Sequence, residues 1–441
     1  MKKITLLPHQ QQCLDQLKGM NRVAIYHDMG LGKTFTGSEK MMQLGEKVNL
    51  VVCQKSKVQD WVDHFNQYYA EDHAEERPWC LVWDLTKIKA ELIKYKLLDW
   101  CKDAEEHAFP HIYIINYDLV FRRPELLKMK NFTLMLDESS LICNEKAKRS
   151  KAILKMQPKN VILLSGTPTS GKYEKLWSQC RLLGWDIPKK VFWNSYICTK
   201  WVDFGAGFMQ QVVTGYKNVN HLKRKLAEHG AVFLKTEEVM DLPEQIEQKI
   251  MFKRSRDYIR FMQNSYLELK DGTELIGDNT LTKMLYARQL CGQYHKEKLE
   301  AFRDILQSTE DNLVVFYNFT RELDALTMIA QEEGRIPGAV NGHQKDSTDG
   351  KNILFVQYQA GAYGLNLQGF SNRIIYFTLP LGKGSCDMWE QSKKRIHRIG
   401  QDKTCFYYYL LVDGSVETKN LKALKEGRDY TEYLFEEGDE Q

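Results

Sequence analysis

The sequence predicts an α/β protein of two lobes, each a mainly parallel sheet covered on both faces by helices, joined by a helical and irregular stretch. Three observations carry this. Short, near-continuous apolar runs alternate with longer segments of helical spacing, which is how strands buried on both faces read. The alternation occurs twice, and the pattern between them changes, from about residue 184 to residue 306. The length of 441 residues also exceeds what one core usually fills.

Taken in order, the first series of apolar, β-branched runs places strands at 23–26, 48–53, 112–115, 132–136 and 161–164. The second places them at 313–317, 353–356, 373–377 and 406–411. The "YYY" at 407–409 reads as strand with one face buried. Between the series, "SYLELKDGTELIGDNTLTKMLYARQLCGQYHKEKLEAF" has helical spacing and few strand signals. The expected division is 1–240, with a helical or irregular excursion at 186–235, and 241–441. Sheets of this kind place their chemistry at the carboxyl ends of the strands.

Composition excludes several classes. At 43% hydrophobic and 27% charged, the chain reads as globular. No apolar run approaches the roughly 18 residues of a membrane span, and "MKKITLLPHQQQ" lacks a signal-peptide core. None of the ten cysteines pairs in a C-x-x-C. That argues against structural zinc and disulfides, and for a reducing, cytoplasmic setting. His107 and His111 have metal-like spacing, but Pro110 between them breaks the helix such a pair needs. The net charge of +4 names no partner, although "KAKRSK" (146–151) and "SKKRIHR" (392–398) are dense enough in cations to meet phosphates. The final "FEEGDEQ" reads as a frayed acidic tail.

Two motifs point to phosphate chemistry. "VAIYHDMGLGKTFTG" is a strand, a glycine-rich turn and a helix start: Gly30 and Gly32 let the backbone N–H groups face a phosphate, Lys33 adds charge, and Thr34 can ligate magnesium. The strict template is not met, because His27 stands where it has its first glycine. A glycine turn followed by a chance Lys-Thr is the bland alternative. In "FTLMLDESSLIC" a strand delivers Asp137 and Glu138, suited to anchor a metal and to activate water. The competing account, a helix capped by Asp137 or Ser139, would need neither the preceding strand nor an upstream phosphate loop. Both carboxylates should leave a strand that neighbours the phosphate loop.

The motif order resembles the Swi/Snf family of superfamily-two, helicase-like, DNA-dependent ATPases over nearly the whole chain. "LLPHQQQCLDQL", "DMGLGKT", "LVVCQKSKVQDWVDHFNQYY", "IINYDLV", "LDESSLICNEKAKRSKAI" and "LLSGTPTSGKYEKLWSQCRLLGW" follow in family order. So do "GAVFLKTEEVMDLPEQ", "VVFYNFTRELDAL", "QAGAYGLNLQGFSNRIIYF" and "QSKKRIHRIGQDKTCFYYYLLVDGSVETK", and "RIHRIGQ" is rare outside the family. "WNSYICTKW" and "NVNHLKRKLAEHG" resemble its annealing-helicase branch.

The resemblance implies two RecA-like lobes with an ATP cleft between them. Gln10 would read adenine, and Met29, Gly30, Leu31, Gly32, Lys33, Thr34 and Gly364 would hold ATP. Thr34 and Asp137 would hold Mg2+, and Glu138 would activate water. Gln391, Arg395 and Arg398, spaced to share one helix face, would neutralise the γ-phosphate. Lys55, Ser56, Asn116, Tyr117, Asn318, Thr320, Gln359 and Asn366 would grip DNA, although Tyr117 and Phe319 also read as core aromatics. The family's acidic motif usually ends in Ala-His; here Ser139-Ser140 replace it, removing a histidine that could address the coupling motif at Ser165, Gly166 and Thr167. The segment between "VNGH" (340–343) and the strand at 353 is too short for a helix the family normally has. The expected activity is ATP-driven translocation on double-stranded DNA by a monomer of viral or bacterial origin. The alternatives are a strand-separating or annealing helicase on DNA or RNA, and a nucleic-acid-binding scaffold with a decayed ATPase.

Overall fold

A computed structural model describes residues 4–70, 80–106, 109–169, 172–203, 209–239, 242–361, 365–382 and 384–427. Gly364, His107 and the acidic tail lie outside the described residues. The chain divides into two compact units, 1–240 and 241–441.

The first unit holds β1 (Arg22–His27), β2 (Val48–Cys53), β3 (Leu81–Asp84), β4 (His111–Asn116), β5 (Phe132–Asp137) and β6 (Asn160–Leu164). After these come the strands β7 (Ile197–Asp203), β8 (Met209–Tyr216) and β9 (Ala231–Leu234). Seven of them form one all-parallel sheet in the order β3-β4-β2-β5-β6-β1-β9. Alternate residues feed two cores. Ala24 and Tyr26 of β1 join one face with Leu50, Val52, Leu134 and Leu136, while Val23 and Ile25 join the other with Val51, Ile114, Met135 and Ile162. This double burial is why those strands read as continuous apolar runs.

The second unit holds β10 (Gln245–Phe252), β11 (Tyr266–Glu268), β12 (Glu274–Ile276), β13 (Leu313–Tyr317), β14 (Pro337–Val340), β15 (Ile353–Gln357), β16 (Arg373–Tyr376) and β17 (Cys405–Val412). Its parallel sheet runs β10-β17-β16-β13-β15-β14, again with alternate residues of β13 divided between two cores. Tyr407 and Tyr409 are buried and Tyr408 is half-buried, as expected of a strand with one face enclosed. No helix occupies the segment between β14 and β15.

The connecting stretch corrects the sequence reading. Within 186–235 the chain forms helices Lys189–Tyr196 and Val219–Glu228, but also the antiparallel hairpin β7–β8 and the sheet-edge strand β9. Beyond it, β10 and the hairpin β11–β12 replace part of the expected helical run. That hairpin turns at Asp271-Gly272, where Gly272 has φ +78°, a conformation glycine adopts without steric cost.

Candidate nucleotide site

The phosphate loop leaves the carboxyl end of β1 and enters helix Lys33–Leu44 through Gly32, whose φ and ψ are 70° and 34°. Helix Pro8–Gln16 holds this loop from behind. His9 Nε2 lies 3.1 Å from Leu31 O, and Gln10 Nε2 donates to Gly32 O at 3.1 Å. In a trans peptide the N–H points opposite the C=O, so anchoring these two carbonyls aims the Gly32 and Lys33 N–H groups to the other side. That is the arrangement a phosphate needs. At φ +70° any other residue at 32 would be strained, and its Cβ, 2.2 Å from Gln10 Nε2, would push away the amide that anchors the loop. Gln10 also accepts from Leu7 N at 2.8 Å, so both ends of its amide are engaged inside the unit.

Lys33 Nζ donates to the carbonyls of His27 and Asp28 at 2.8 and 3.0 Å, curling over its own loop. The loop is moored to the turn after β9 as well, because Asp28 Oδ2 accepts from Thr236 N and Oγ1, each at 3.3 Å.

Asp137 ends β5, and the chain turns at once. Glu138 sits in the left-handed region (φ 54°, ψ 59°), which costs a non-glycine residue about 1–3 kcal/mol. Tyr117 braces the turn, its hydroxyl donating to Asp137 O at 2.9 Å. Trp61 Nε1 donates to Asp137 Oδ2 at 2.9 Å. Burial raises the Asp137 carboxyl above its ordinary range, opposed by the Trp61 N–H and by Lys57 and Lys33. The expectation that β5 borders the phosphate-loop strand is corrected: β6 lies between them. With strands about 4.8 Å apart, the acidic turn and the loop start roughly 10 Å apart. The end of β6 bridges that gap. Ser165 Oγ donates to Glu138 Oε2 at 3.4 Å, and a Cβ on Gly166 would lie 3.0 Å from Met29 Cγ and 3.4 Å from Lys33 Nζ.

The predicted DNA contacts divide. Lys55 and Ser56 are exposed on a turn at the carboxyl end of β2, and Thr320, Gln359 and Asn366 are exposed in the second unit. Asn116 and Tyr117 are only 4% and 3% exposed, so their assignment as DNA contacts is corrected: the first is core, and the second braces Asp137. Asn318 is half-buried, with its amide donating to Thr378 Oγ1 and Leu379 O, each at 2.9 Å. The single helix face expected to carry the second-unit triad is also corrected. Helix Ser385–Lys393 carries Gln391 but ends before Arg395, which follows in a turn, and Arg398 lies farther along, so no helix face unites them. Arg395 Nη1 donates to Leu365 O at 3.2 Å, while Arg398 Nη1 donates to Asn366 Oδ1.

Trp61, which meets Asp137, and the buried polar residues Gln179 and Tyr26 were missed, because an aromatic or amide inside an amphipathic or apolar run reads as core. His27 and His64 were missed too, and they make the first unit acid-sensitive. Burial lowers the pKa of His27 to about 3, with Lys33 adding to the shift, and that of His64 to about 4. The folded rings refuse a proton that the unfolded rings accept near 6.5, so stability is complete above that value. It falls as pH drops toward 4, at about 1.4 kcal/mol per pH unit for each ring, with the raised Asp137 carboxyl working in the opposite direction. His64→Phe keeps the aromatic packing with Phe35 and Trp61. It should flatten the acid limb of the melting profile; an unchanged limb would remove His64 from this account.

The SNF2-related domain family matches the chain over residues 9–296. The chain is similar to the DNA annealing helicase and endonuclease ZRANB3 of Bos taurus, 26% identical over 447 residues that cover 94% of this chain and 39% of the relative. It is also similar to the DNA repair and recombination protein RAD26 of Saccharomyces cerevisiae, 28% identical over 361 residues that cover 70% of this chain and 32% of the relative. Among solved structures, the Sulfolobus solfataricus SWI2/SNF2 ATPase core in complex with dsDNA aligns with 96% of this chain and 91% of that one, at 18% identity and a TM-score of 0.42. The chain spans about two fifths of the length of the ZRANB3 relative and a third of RAD26.

Proposed function

Because the chain belongs to the SNF2-related domain family, we propose that it is a monomeric motor that hydrolyses ATP to move along double-stranded DNA. The observation that carries this is the first unit's arrangement of Lys33, Glu138 and Ser165 around the ends of β1, β5 and β6. Gly30, Gly32 and Lys33 hold the phosphates, Met29 and Leu31 shape the loop, and Gln10 borders the adenine. Glu138 orients and deprotonates the attacking water. Arg395 and Arg398 place positive charge on the γ-phosphate, where phosphoryl transfer gains most from fixed charge, and Gln391 adds a neutral amide donor. Gly364 completes the nucleotide set.

Thr34 and Asp137 are hard oxygen donors, as Mg2+ requires, and the ion takes one or two protein oxygens beside nucleotide phosphates and waters. Among the described residues no group of three or more His, Cys, Asp or Glu forms a closed metal cage, which such an ion does not need. Bound there, Mg2+ would offset the charge of the β- and γ-phosphates.

Exposed Lys55, Ser56, Thr320, Gln359 and Asn366 supply the grip on DNA, with the neighbouring cations Lys146, Lys148 and Lys151 exposed on the first unit. Such contacts are blind to sequence and weaken with salt. The test is ATP turnover with double-stranded DNA, single-stranded DNA and RNA across a salt series. Stimulation by duplex DNA is expected, and no stimulation by any nucleic acid would defeat the motor. A second reading, annealing or separation of strands, is favoured by the similarity to ZRANB3, a DNA annealing helicase. Release of a labelled strand from a fork in proportion to ATP use would select it.

A further inference from the structure

Two buried hydroxyls behind the site converge on one buried amide. Tyr26, Ser139 and Gln179 are 3%, 0% and 0% exposed. The Tyr26 hydroxyl and Ser139 Oγ each donate to Gln179 Oε1 at 2.8 Å, and Gln179 Nε2 donates to Pro168 O at 2.9 Å. Tyr26 lies on β1 just before the phosphate loop, Ser139 follows Glu138, and Pro168 lies three residues beyond Ser165. Gln179 comes from a separate element, the short helix Trp177–Leu182. One side chain thus ties the end of β1 to the segments that leave β6 and β5, consecutive with it in the sheet order β5-β6-β1.

We propose that Gln179 is a positioning residue that fixes the acidic turn, through Ser139, against the Ser165–Pro168 segment. The inference rests on the ATPase reading above. Glu138 has its carboxylate on Ser165, and its backbone continues directly into Ser139. Gln179 holds both sides of that contact, one through Ser139 and the other through Pro168. A shift of the segment when the phosphate is bound or released therefore reaches the carboxylate that activates water. An apolar residue would fill the same space without any of this, because buried polar groups gain little net stability and cost most when left unpaired.

That asymmetry supplies the test. Gln179→Leu strands two buried hydroxyls and should lower both kcat and melting temperature. The triple variant Tyr26→Phe, Ser139→Ala, Gln179→Leu removes both donors with the acceptor, so its melting temperature should return towards the parent's. Its kcat with saturating duplex DNA should remain about tenfold or more below the parent's, with KM for ATP within about twofold. A triple variant that recovers melting temperature and kcat together would reduce the cluster to filling. No ATP turnover by the parent under any condition would overturn both the relay and the ATPase reading. An active parent beside an equally active triple variant overturns the relay alone.

Discussion

Lys33→Ala is expected to cut DNA-stimulated ATP turnover by at least about a hundredfold, the scale of losing one fixed charge at a developing anion. DNA binding across a salt series should stay close to the parent's. Lys33 is the only Lys or Arg in the loop "HDMGLGKT", and its ammonium turns inward onto His27 O and Asp28 O. A neutral carbonyl is a weak partner for a cation compared with a phosphate oxygen, so an arriving triphosphate competes well for Nζ. The residues assigned to DNA, by contrast, include Lys55 and Ser56 on a different strand end, and truncating Lys33 leaves them untouched. If Lys33 were only a staple for its loop, the substitution would lower the melting temperature and leave the turnover of the remaining folded protein intact. Turnover equal to the parent's would therefore remove the nucleotide assignment, whatever happens to stability.

The placement of the candidate site was legible in the sequence where it depended on short spacing. Gly30, Gly32, Lys33 and Thr34 lie within five positions, and Asp137-Glu138 closes an apolar strand. The nine expected strands all exist, because double burial gives continuous apolar runs that a half-exposed element lacks. The missed strands lack that signal. β10 is an edge strand with Glu247 and Lys249 facing out, β14 opens on Pro337-Gly338, and β3 and β9 are four residues each. The long-range contacts at and behind the acidic turn were out of reach, since Trp61 meets Asp137 across 76 residues and Tyr26 meets Gln179 across 153. The misplaced helix face has a local cause. Arg395 N donates to Ser392 O and its carbonyl accepts from Leu367 N, so a tight turn and a distant backbone take over the groups that continuing helix would use.

That broken helix separates the two arginines, and their substitutions should differ. Arg398→Ala is expected to lower kcat by about a thousandfold with little change in stability, the contribution of an arginine that stabilises phosphoryl transfer. Arg395→Ala should lower kcat and melting temperature together. Arg395 is 7% exposed, and its guanidinium donates to Leu365 O, so truncation strips a partner from a buried turn. Arg398 is half-buried and bonds to the exposed side chain of Asn366, a partner that water can replace. Burial also lowers the Arg398 pKa from its ordinary value, the direction expected of a cation held partly out of water. Arg398→Lys should not restore kcat, because a point charge on a flexible stem cannot reproduce a planar fork. Asn366→Ala then decides which partner Asn366 serves. As the holder of Arg398 it should lower kcat and leave the affinity for DNA unchanged. As a phosphate contact it should weaken DNA binding about equally for all sequences and spare kcat, with the salt slope unchanged because the amide carries no charge. An Arg398→Ala enzyme with the parent's kcat would return "SKKRIHR" to a solvated basic cluster.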